Sequence, residues 1–373
     1  MIWLDSAATS FQKPAAVRYA VWKAMTTLSS PGRGGYPAAM AAADTLFRCR
    51  CALGDMFGVS DPERVIFTSS ATHSLNIAIK SLVPPGGRVV VSGYEHNAVA
   101  RPLNALGADI RVAASPLFDW DAALRAFQNE LPGAAAAVCC HVSNVFGYVL
   151  PLKEIADMCR REGVPLIVDA AQSAGVLPLD MNALGCAFAA MPGHKGLLGP
   201  QGTGVLLCGT EKVKTLLEGG TGSESESADM PQFLPDRLEA GTHNVPGISG
   251  LLAGTDWIRK YGISEIRLHE TEMRRRIAER LRGDRRITLY ETEDDRQQVG
   301  VLSLQLEGTD CETAADRLGQ RGIAVRAGLH CAPMAHRTAG TFQKGTVRIS
   351  VSPFTTEGEA DRAVNEILGL LAG

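Results

Sequence analysis

Three features, each directly after an apolar β-type run, are the best suited in this sequence to hold a charged ligand. Asp169 ends the run 166–169 and is followed by Ala170-Ala171-Gln172. A carboxylate in an apolar setting costs free energy unless a cation offsets it, so Asp169 wants a positive partner. Lys195 stands 26 residues further on, in Pro192-Gly193-His194-Lys195-Gly196. Crowded by glycines and next to a histidine, its amine could have a pKa low enough for Schiff-base chemistry. The competing reading is a lysine in a surface turn. Ser69-Ser70-Ala71-Thr72 follows the run 65–68 and opens a helix. Its free N–H groups, dipole and hydroxyls suit a phosphate, although a serine there can simply cap the helix. His96, in Tyr94-Glu95-His96-Asn97, either stacks its ring on a planar ligand or caps a helix start. A phosphate cradle, a carboxylate for a pyridinium nitrogen and a lysine for an aldehyde are together the contacts that pyridoxal 5'-phosphate requires.

The elements that must position these residues follow an alternating pattern. Strand-type runs at 65–68, 89–92, 110–113, 136–142, 166–169, 187–191 and 204–208 alternate with amphipathic stretches. Leu75, Ile79 and Leu82, and likewise Leu152, Ala156 and Cys159, fall at helical spacing and give each helix an apolar stripe. This predicts repeated βα units around a mostly parallel sheet, in which ligands bind beyond the carboxyl ends of the strands. The polar, Gly/Ser-rich stretch 219–232 then separates a different pattern: a long helix at 263–282, strands at 287–290, 299–306, 323–326 and 346–351, and helices at 311–321 and 357–371. The fold class expected is α/β, a mostly parallel large domain over 15–245 and a smaller α+β domain over 246–373, with residues 1–14 packing on the smaller one.

Composition excludes several function classes. The 373 residues suffice for two or three domains with a sizeable core. Lys plus Arg number 37 against 40 Asp plus Glu, a formal charge of −3, and no basic cluster forms a nucleic-acid footprint. No apolar run approaches the roughly eighteen residues needed to span a bilayer, and the N-terminus lacks a signal-peptide pattern, so no membrane association and a cytoplasmic location are expected. Nine cysteines, an odd number with no CxxC pair, argue against both a disulfide framework and a metal site; most read as small buried hydrophobes in a reducing compartment.

The segments Leu4-Asp5-Ser6-Ala7-Ala8, His141 to Gly147, Val168 to Gln172, Gly193-His194-Lys195, Glu239-Ala240-Gly241-Thr242 and Arg326 to Ala332 resemble class V aminotransferases of fold type I, and most of all cysteine desulfurases of the SufS-like group. The likeness rests on their order and spacing and covers nearly the whole chain. It implies that Lys195 carries the cofactor as a Schiff base, that His96 stacks on the ring, that Asp169 pairs with the pyridine nitrogen and that Gln172 bonds the ring hydroxyl. Asn144 would lie near substrate and ring. Thr72 and His194 would hold phosphate, with Ala71 contributing backbone. Thr242 would reach the phosphate of a second subunit, which implies a homodimer. Arg348 would bind the substrate carboxylate, for which a guanidinium fork is well shaped, and Arg33 lies in a segment resembling the N-terminal active-site loop. Cys331 would take sulfur from L-cysteine, or selenium from selenocysteine, leaving alanine and a persulfide. His330 could favour its thiolate or donate a proton. Pro192 replaces the family's usual Ser or Thr, removing one phosphate hydroxyl. Cys331 and Arg348 are 17 positions apart, a short nucleophile loop that in the family accompanies a separate sulfur-acceptor protein. Iron–sulfur cluster assembly is the family-level expectation for the pathway.

Competing readings are a selenocysteine lyase, or another class V lyase or aminotransferase for which Cys331 is incidental. A nicotinamide-binding oxidoreductase is disfavoured, because no strand candidate is followed by GxGxxG with an acidic residue about twenty positions on. A non-catalytic scaffold would require a Lys195 unreactive toward the cofactor.

Overall fold

Strand residues between 65 and 208 alternate between two apolar layers, and that alternation builds the central sheet. The computed structural model describes residues 1–32 and 34–371. After the short strand β1 (Ile2–Trp3) come helices α1 (Ala15–Thr27) and α2 (Pro37–Phe57). The sheet-forming stretch runs β2 (Val65–Thr68), α3 (Ala71–Leu82), β3 (Arg88–Ser92), α4 (Asn97–Ala105), β4 (Asp109–Ala113), α5 (Trp120–Glu130), β5 (Ala136–Cys140), α6 (Leu152–Glu162), β6 (Leu166–Asp169), α7 (Met181–Leu184), β7 (Phe188–Pro192) and β8 (Gly204–Cys208). Then follow α8 (Val245–Tyr261), α9 (Ile263–Leu281), β9 (Ile287–Tyr290), β10 (Val301–Leu306), α10 (Cys311–Gln320), β11 (Ile323–Ala324), β12 (Arg326–Gly328), α11 (Pro333–Thr338), β13 (Thr346–Ser350) and α12 (Glu357–Leu371).

The main sheet has seven strands among the described residues, in the order β2-β8-β7-β6-β5-β3-β4. All neighbours from β7 to β4 are parallel, and only β8 runs against its two partners. The expected α/β class with a mostly parallel sheet is therefore what the chain forms. Phe67, Val90, Cys139, Val168 and Met191 face one buried layer, while Ile66, Val91, Val138, Ile167 and Ala190 face the other. A sheet covered on both faces needs such doubly apolar strands. Because β2 and β7 flank β8 in opposite sense to it, the carboxyl ends of β2, β3, β5, β6 and β7 all open on one edge.

The smaller unit is a four-stranded antiparallel sheet, β12-β13-β10-β9, whose core takes in residues of α9, α10 and α12. Strand β1 pairs in parallel with β11, and Ile2 and Leu4 join this smaller core. The run expected as one strand at 323–326 divides: 323–324 pairs with the N-terminus and 326–328 with β13. The strand expected to reach 142 ends at Cys140, where Val142 bridges to Val149 and the chain folds back through Gly147 at φ +66°. Val245, Ile248, Leu251 and Ile258 of α8 pack in the core of the large sheet. We therefore propose that the domains divide at the α8–α9 junction, Gly262, and not at 245–246, since a boundary falls where few contacts cross.

Candidate active site

The strand ends deliver their polar residues into one cavity of about 200 Å³, bordered by Ala71, Thr72, His96, Asn144, Asp169, Gln172, His194 and Lys195, together with Ser70, Tyr94, Ala98, Cys140, Val142, Ala171 and Pro192. Residues from five separate strand ends thus meet, as expected for an open α/β sheet. The Lys195 turn sits against the turn after β6, backbone on backbone. A Cβ on Gly196 would collide with the carbonyl oxygen of Ala174, and one on Gly175, at φ +82°, with that of Gly196. Only glycines permit this approach, which holds Lys195 and Gln172 in fixed relation.

Two opposite charges are stranded in this cavity. Asp169 is buried; its Oδ1 accepts the N–H of Ala171 at 2.9 Å, and no other hydrogen bond reaches its carboxylate among the described residues. Burial pushes its carboxyl above the usual range, against the pull of the Ala171 N–H and of Lys195. Lys195 is half-buried, and its amine makes no hydrogen bond or ion pair among the described residues. Burial lowers it to about 8, with Asp169 opposing and the Arg348 and Arg326 guanidinia assisting. An unpartnered, desolvated amine with a lowered pKa has the properties of a Schiff-base lysine.

The remaining cavity residues are oriented from behind. His96 is the N-cap of α4: its Nδ1 accepts the Ala98 N–H at 3.0 Å, which leaves the proton on Nε2. The two readings of this histidine are thus compatible, since the same ring caps the helix and borders the cavity. Burial lowers its pKa to about 4, so the ring is neutral. Ser70 caps α3 by accepting the His73 N–H at 3.2 Å, while the start of that helix, at Ala71 and Thr72, faces the cavity. His194 meets the Thr9 hydroxyl at 3.1 Å through Nδ1. Gln172 donates to the carbonyl of Ala7 at 2.9 Å. Asn144 donates from Nδ2 to the carbonyl of His330 at 2.9 Å, and its buried Oδ1 has no partner.

These residues fit pyridoxal phosphate. The buried Asp169 carboxylate lacks a cation, the Lys195 amine lacks a partner, and the α3 N-terminus presents a phosphate-binding end to the same cavity. Pro192 borders the cavity and contributes no hydroxyl.

Three expected site residues lie outside this cluster. Thr242 borders a separate cavity of about 300 Å³ with Thr68, Ser69 and His73. Its loop is anchored by Glu239, which accepts from Arg50 at 2.8 and 2.5 Å and from the Phe67 N–H at 2.5 Å. Arg348 is buried on β13, where it donates to the Asn144 carbonyl at 2.9 Å and to Asp5 at 2.7 Å. Cys331 is exposed on the loop before α11. Arg33 falls outside the described residues.

His330 and Cys331 both adopt left-handed backbone, at φ +49° and +56°. For non-glycine residues that costs on the order of 1 kcal/mol or more each. The conformation is held by Asn144 on the His330 carbonyl and by the Asn97 N–H, which donates to the Cys331 carbonyl at 2.8 Å. The His330 ring is buried, with Nε2 at 3.2 Å from the Thr346 carbonyl and hydroxyl and the plane stacked on His336. Burial drives its pKa down to about 2, so a cationic His330 favouring a thiolate is not available in this arrangement. Tyr94 and Cys140 border the cavity without having stood out as polar strand-end residues. Asp5 belongs to the segment Leu4 to Ala8, and its contact with Arg348 spans 343 residues of sequence.

The family model for class V aminotransferases matches residues 2–363. A probable cysteine desulfurase of Methanothermobacter thermautotrophicus is 32% identical, covering 100% of this chain and 95% of the relative. One of Xylella fastidiosa is 31% identical over 99% and 90%. Among solved structures, the apo cysteine desulfurase of Thermococcus onnurineus superposes with a TM-score of 0.92 at 28% identity, covering 100% of this chain and 95% of that one. The cysteine desulfurase CsdA of Escherichia coli gives 0.87 at 27%, over 100% and 94%. The fold is that of the fold type I pyridoxal-phosphate enzymes. With a strand-end cavity holding a stranded lysine and aspartate, and with sequence and fold matched along the whole length, the chain belongs to the class V aminotransferase family.

Proposed function

We propose that this chain is a pyridoxal-phosphate-dependent cysteine desulfurase, converting L-cysteine to L-alanine and holding the sulfur as a persulfide on Cys331. The observation that carries the reading is the convergence of an unpartnered, half-buried Lys195, a cation-seeking Asp169 and a phosphate-type helix end in one cavity. An exposed cysteine stands on a loop tied to the cavity residue Asn144.

Pyridoxal phosphate, when bound, supplies an electron sink that lets an amino acid lose its α-proton. Lys195 would hold its aldehyde, and its amine would move the α-proton. Asp169 would keep a proton at the ring nitrogen, and the neutral His96 ring would stack on the ring. Gln172 would bond the ring hydroxyl. Thr72, His194 and the Ala71 backbone would hold the phosphate, joined by Thr242 of a second copy. Arg348 binds the substrate carboxylate, and Asn144 orients substrate beside it. The sulfur of Cys331 bonds to the substrate sulfur as the Cβ–S bond breaks; the electron pair of that bond stays on carbon, which takes up a proton. Alanine leaves and the persulfide remains, to be passed to an acceptor protein. The exposure of Cys331 supports that transfer, and exposed Tyr19, Trp22 and Met25 on α1 with Met40 and Phe47 on α2 support a homodimer that would cover them.

The test is Cys331→Ala assayed with L-cysteine. Alanine formation should fall by about a hundredfold or more while the absorbance of the lysine-bound cofactor is retained. Alanine formation at the wild-type rate would remove the persulfide step, and keto acid as main product would point to an aminotransferase.

A further inference from the structure

The N-terminal segment 4–10 is knitted into the site from outside the cavity. Ser350 next to Arg348 on β13 accepts from Ser6 N–H at 3.2 Å, donates its own N–H to Leu4 at 2.8 Å, and takes the Ala7 N–H on its hydroxyl at 2.9 Å. This fixes Asp5, which bridges to Ser350 in parallel register. The Asp5 carboxylate then does something unusual. Its Oδ1 accepts from Arg348 Nη2 at 2.7 Å and its Oδ2 from Arg326 Nε at 3.1 Å. Arg326 and Arg348 are direct cross-strand partners on β12 and β13. Two like charges in that position repel unless an anion lies between them. Asp5 supplies it, and the three charges sum to one uncompensated positive unit. Arg348 is buried, and its Nε has no partner, so its donor set is incomplete as well as its charge.

We infer that Asp5 is a positioning residue for substrate, fixing the Arg326–Arg348 pair so that it presents one positive charge and free guanidinium donors to a single α-carboxylate. The inference rests on the proposed function, in which Arg348 binds that carboxylate. A fully neutralised pair would have no use for a second anion, and an uncompensated pair would not hold its geometry. With Asp5 in place, a monoanionic carboxylate completes both the charge and the hydrogen bonding. Asp5 thereby ties the N-terminal segment to a cross-strand arginine pair of one sheet at the carboxylate-recognition end of the substrate.

The test uses holoenzyme carrying Asp5→Asn, which keeps shape and one acceptor but removes the charge. L-Alanine is titrated as the non-desulfurated probe by the change in cofactor absorbance, and L-cysteine turnover is measured alongside. The Kd for alanine and the KM for cysteine should rise about tenfold with kcat within about threefold. In an Arg348→Ala background, D5N should change the alanine Kd by less than about twofold, because Asp5 acts through that guanidinium. Unchanged or tighter alanine binding by a D5N holoenzyme overturns the inference, as does equal weakening in both backgrounds, which marks a merely structural role. If D5N does not retain cofactor, Asp5→Glu is titrated in its place; it should restore the alanine Kd to within about threefold, and failure to do so overturns the inference. Wild-type protein that forms no alanine from cysteine removes the functional reading itself, whatever D5N does.

Discussion

Two regions of this molecule are rich in charge and treat it in opposite ways. Along α9 and α12, Arg276 grips Asp361 with two bonds of 2.8 Å, also reaches Glu357 at 2.8 Å, and Arg280 adds a bond of 2.9 Å to Asp361. Each of these four charges has a partner, and each pair is at least a third exposed. In the strand-end cavity, Asp169 is buried, Lys195 is half-buried, and neither has an ion-pair partner among the described residues. Screened pairs on a surface contribute little. Desolvated, unpartnered groups cost stability, and they persist where chemistry needs them. Ion-pair count is therefore a poor guide to function in these two regions.

Removing the stranded amine should have the largest effect. Lys195→Ala should lower turnover by about a thousandfold or more and abolish the borohydride-trappable cofactor linkage, measured by absorbance and by mass. A variant that still traps cofactor covalently would show that another amine serves. Asp169→Asn comes next. Losing the carboxylate while keeping the shape should lower turnover by about a hundredfold and weaken cofactor retention, measured by steady-state kinetics and dialysis. Because burial holds this carboxyl above its usual range in the cofactor-free protein, the apoprotein should not lose thermal stability on D169N.

The Lys195 amine gives a pH signature. Only the neutral amine attacks an aldehyde, and burial lowers its pKa to about 8. The rate at which cofactor-free protein captures pyridoxal phosphate should rise about tenfold between pH 7 and 9 and then level off. Stopped-flow absorbance would show this. A rate still rising nearly tenfold between pH 8 and 9 would mean an ordinary, solvated lysine.

Much of the site was legible because each residue follows an apolar run whose end can be found locally: Asp169 closes one strand, and Ser70, His96 and Lys195 follow others. What was not legible depends on contacts distant in sequence. The division of 323–326 requires pairing with residues 2–3, more than three hundred positions away. Asp5 acquires its meaning only from β13. Helix α1 carries no inward apolar stripe in its sequence, whereas α2 does, through Ala42, Leu46, Cys49, Leu53 and Phe57. In α1 only Val17 and Ala24 are buried, while Tyr19, Trp22 and Met25 face outward. A helix with apolar residues on its outer side carries a mixed pattern, and local periodicity does not resolve it. His330 is adjacent to Cys331 in sequence, yet its ring reaches Thr346.

The smallest effect belongs to the other half of the comparison. Asp361 is the busiest acceptor on the α9–α12 face, and its hydrogen bonds from Arg276 and Arg280 hold its carboxyl down at about 2. A depressed carboxylate contributes stability that is present above its unfolded pKa and is lost only as pH falls through the folded value. At neutral pH the whole contribution is therefore in place, and it is still small, because solvent and salt screen both partners and two long side chains must be ordered to make the bonds. Asp361→Asn should shift the melting temperature by less than about 2 °C, by less still at high salt, and leave cysteine turnover unchanged. Calorimetry at two ionic strengths checks both parts. A shift several times larger and insensitive to salt would mean that this face is bearing load the cavity was thought to monopolise, and the contrast between paired surface charge and stranded buried charge would have to be redrawn.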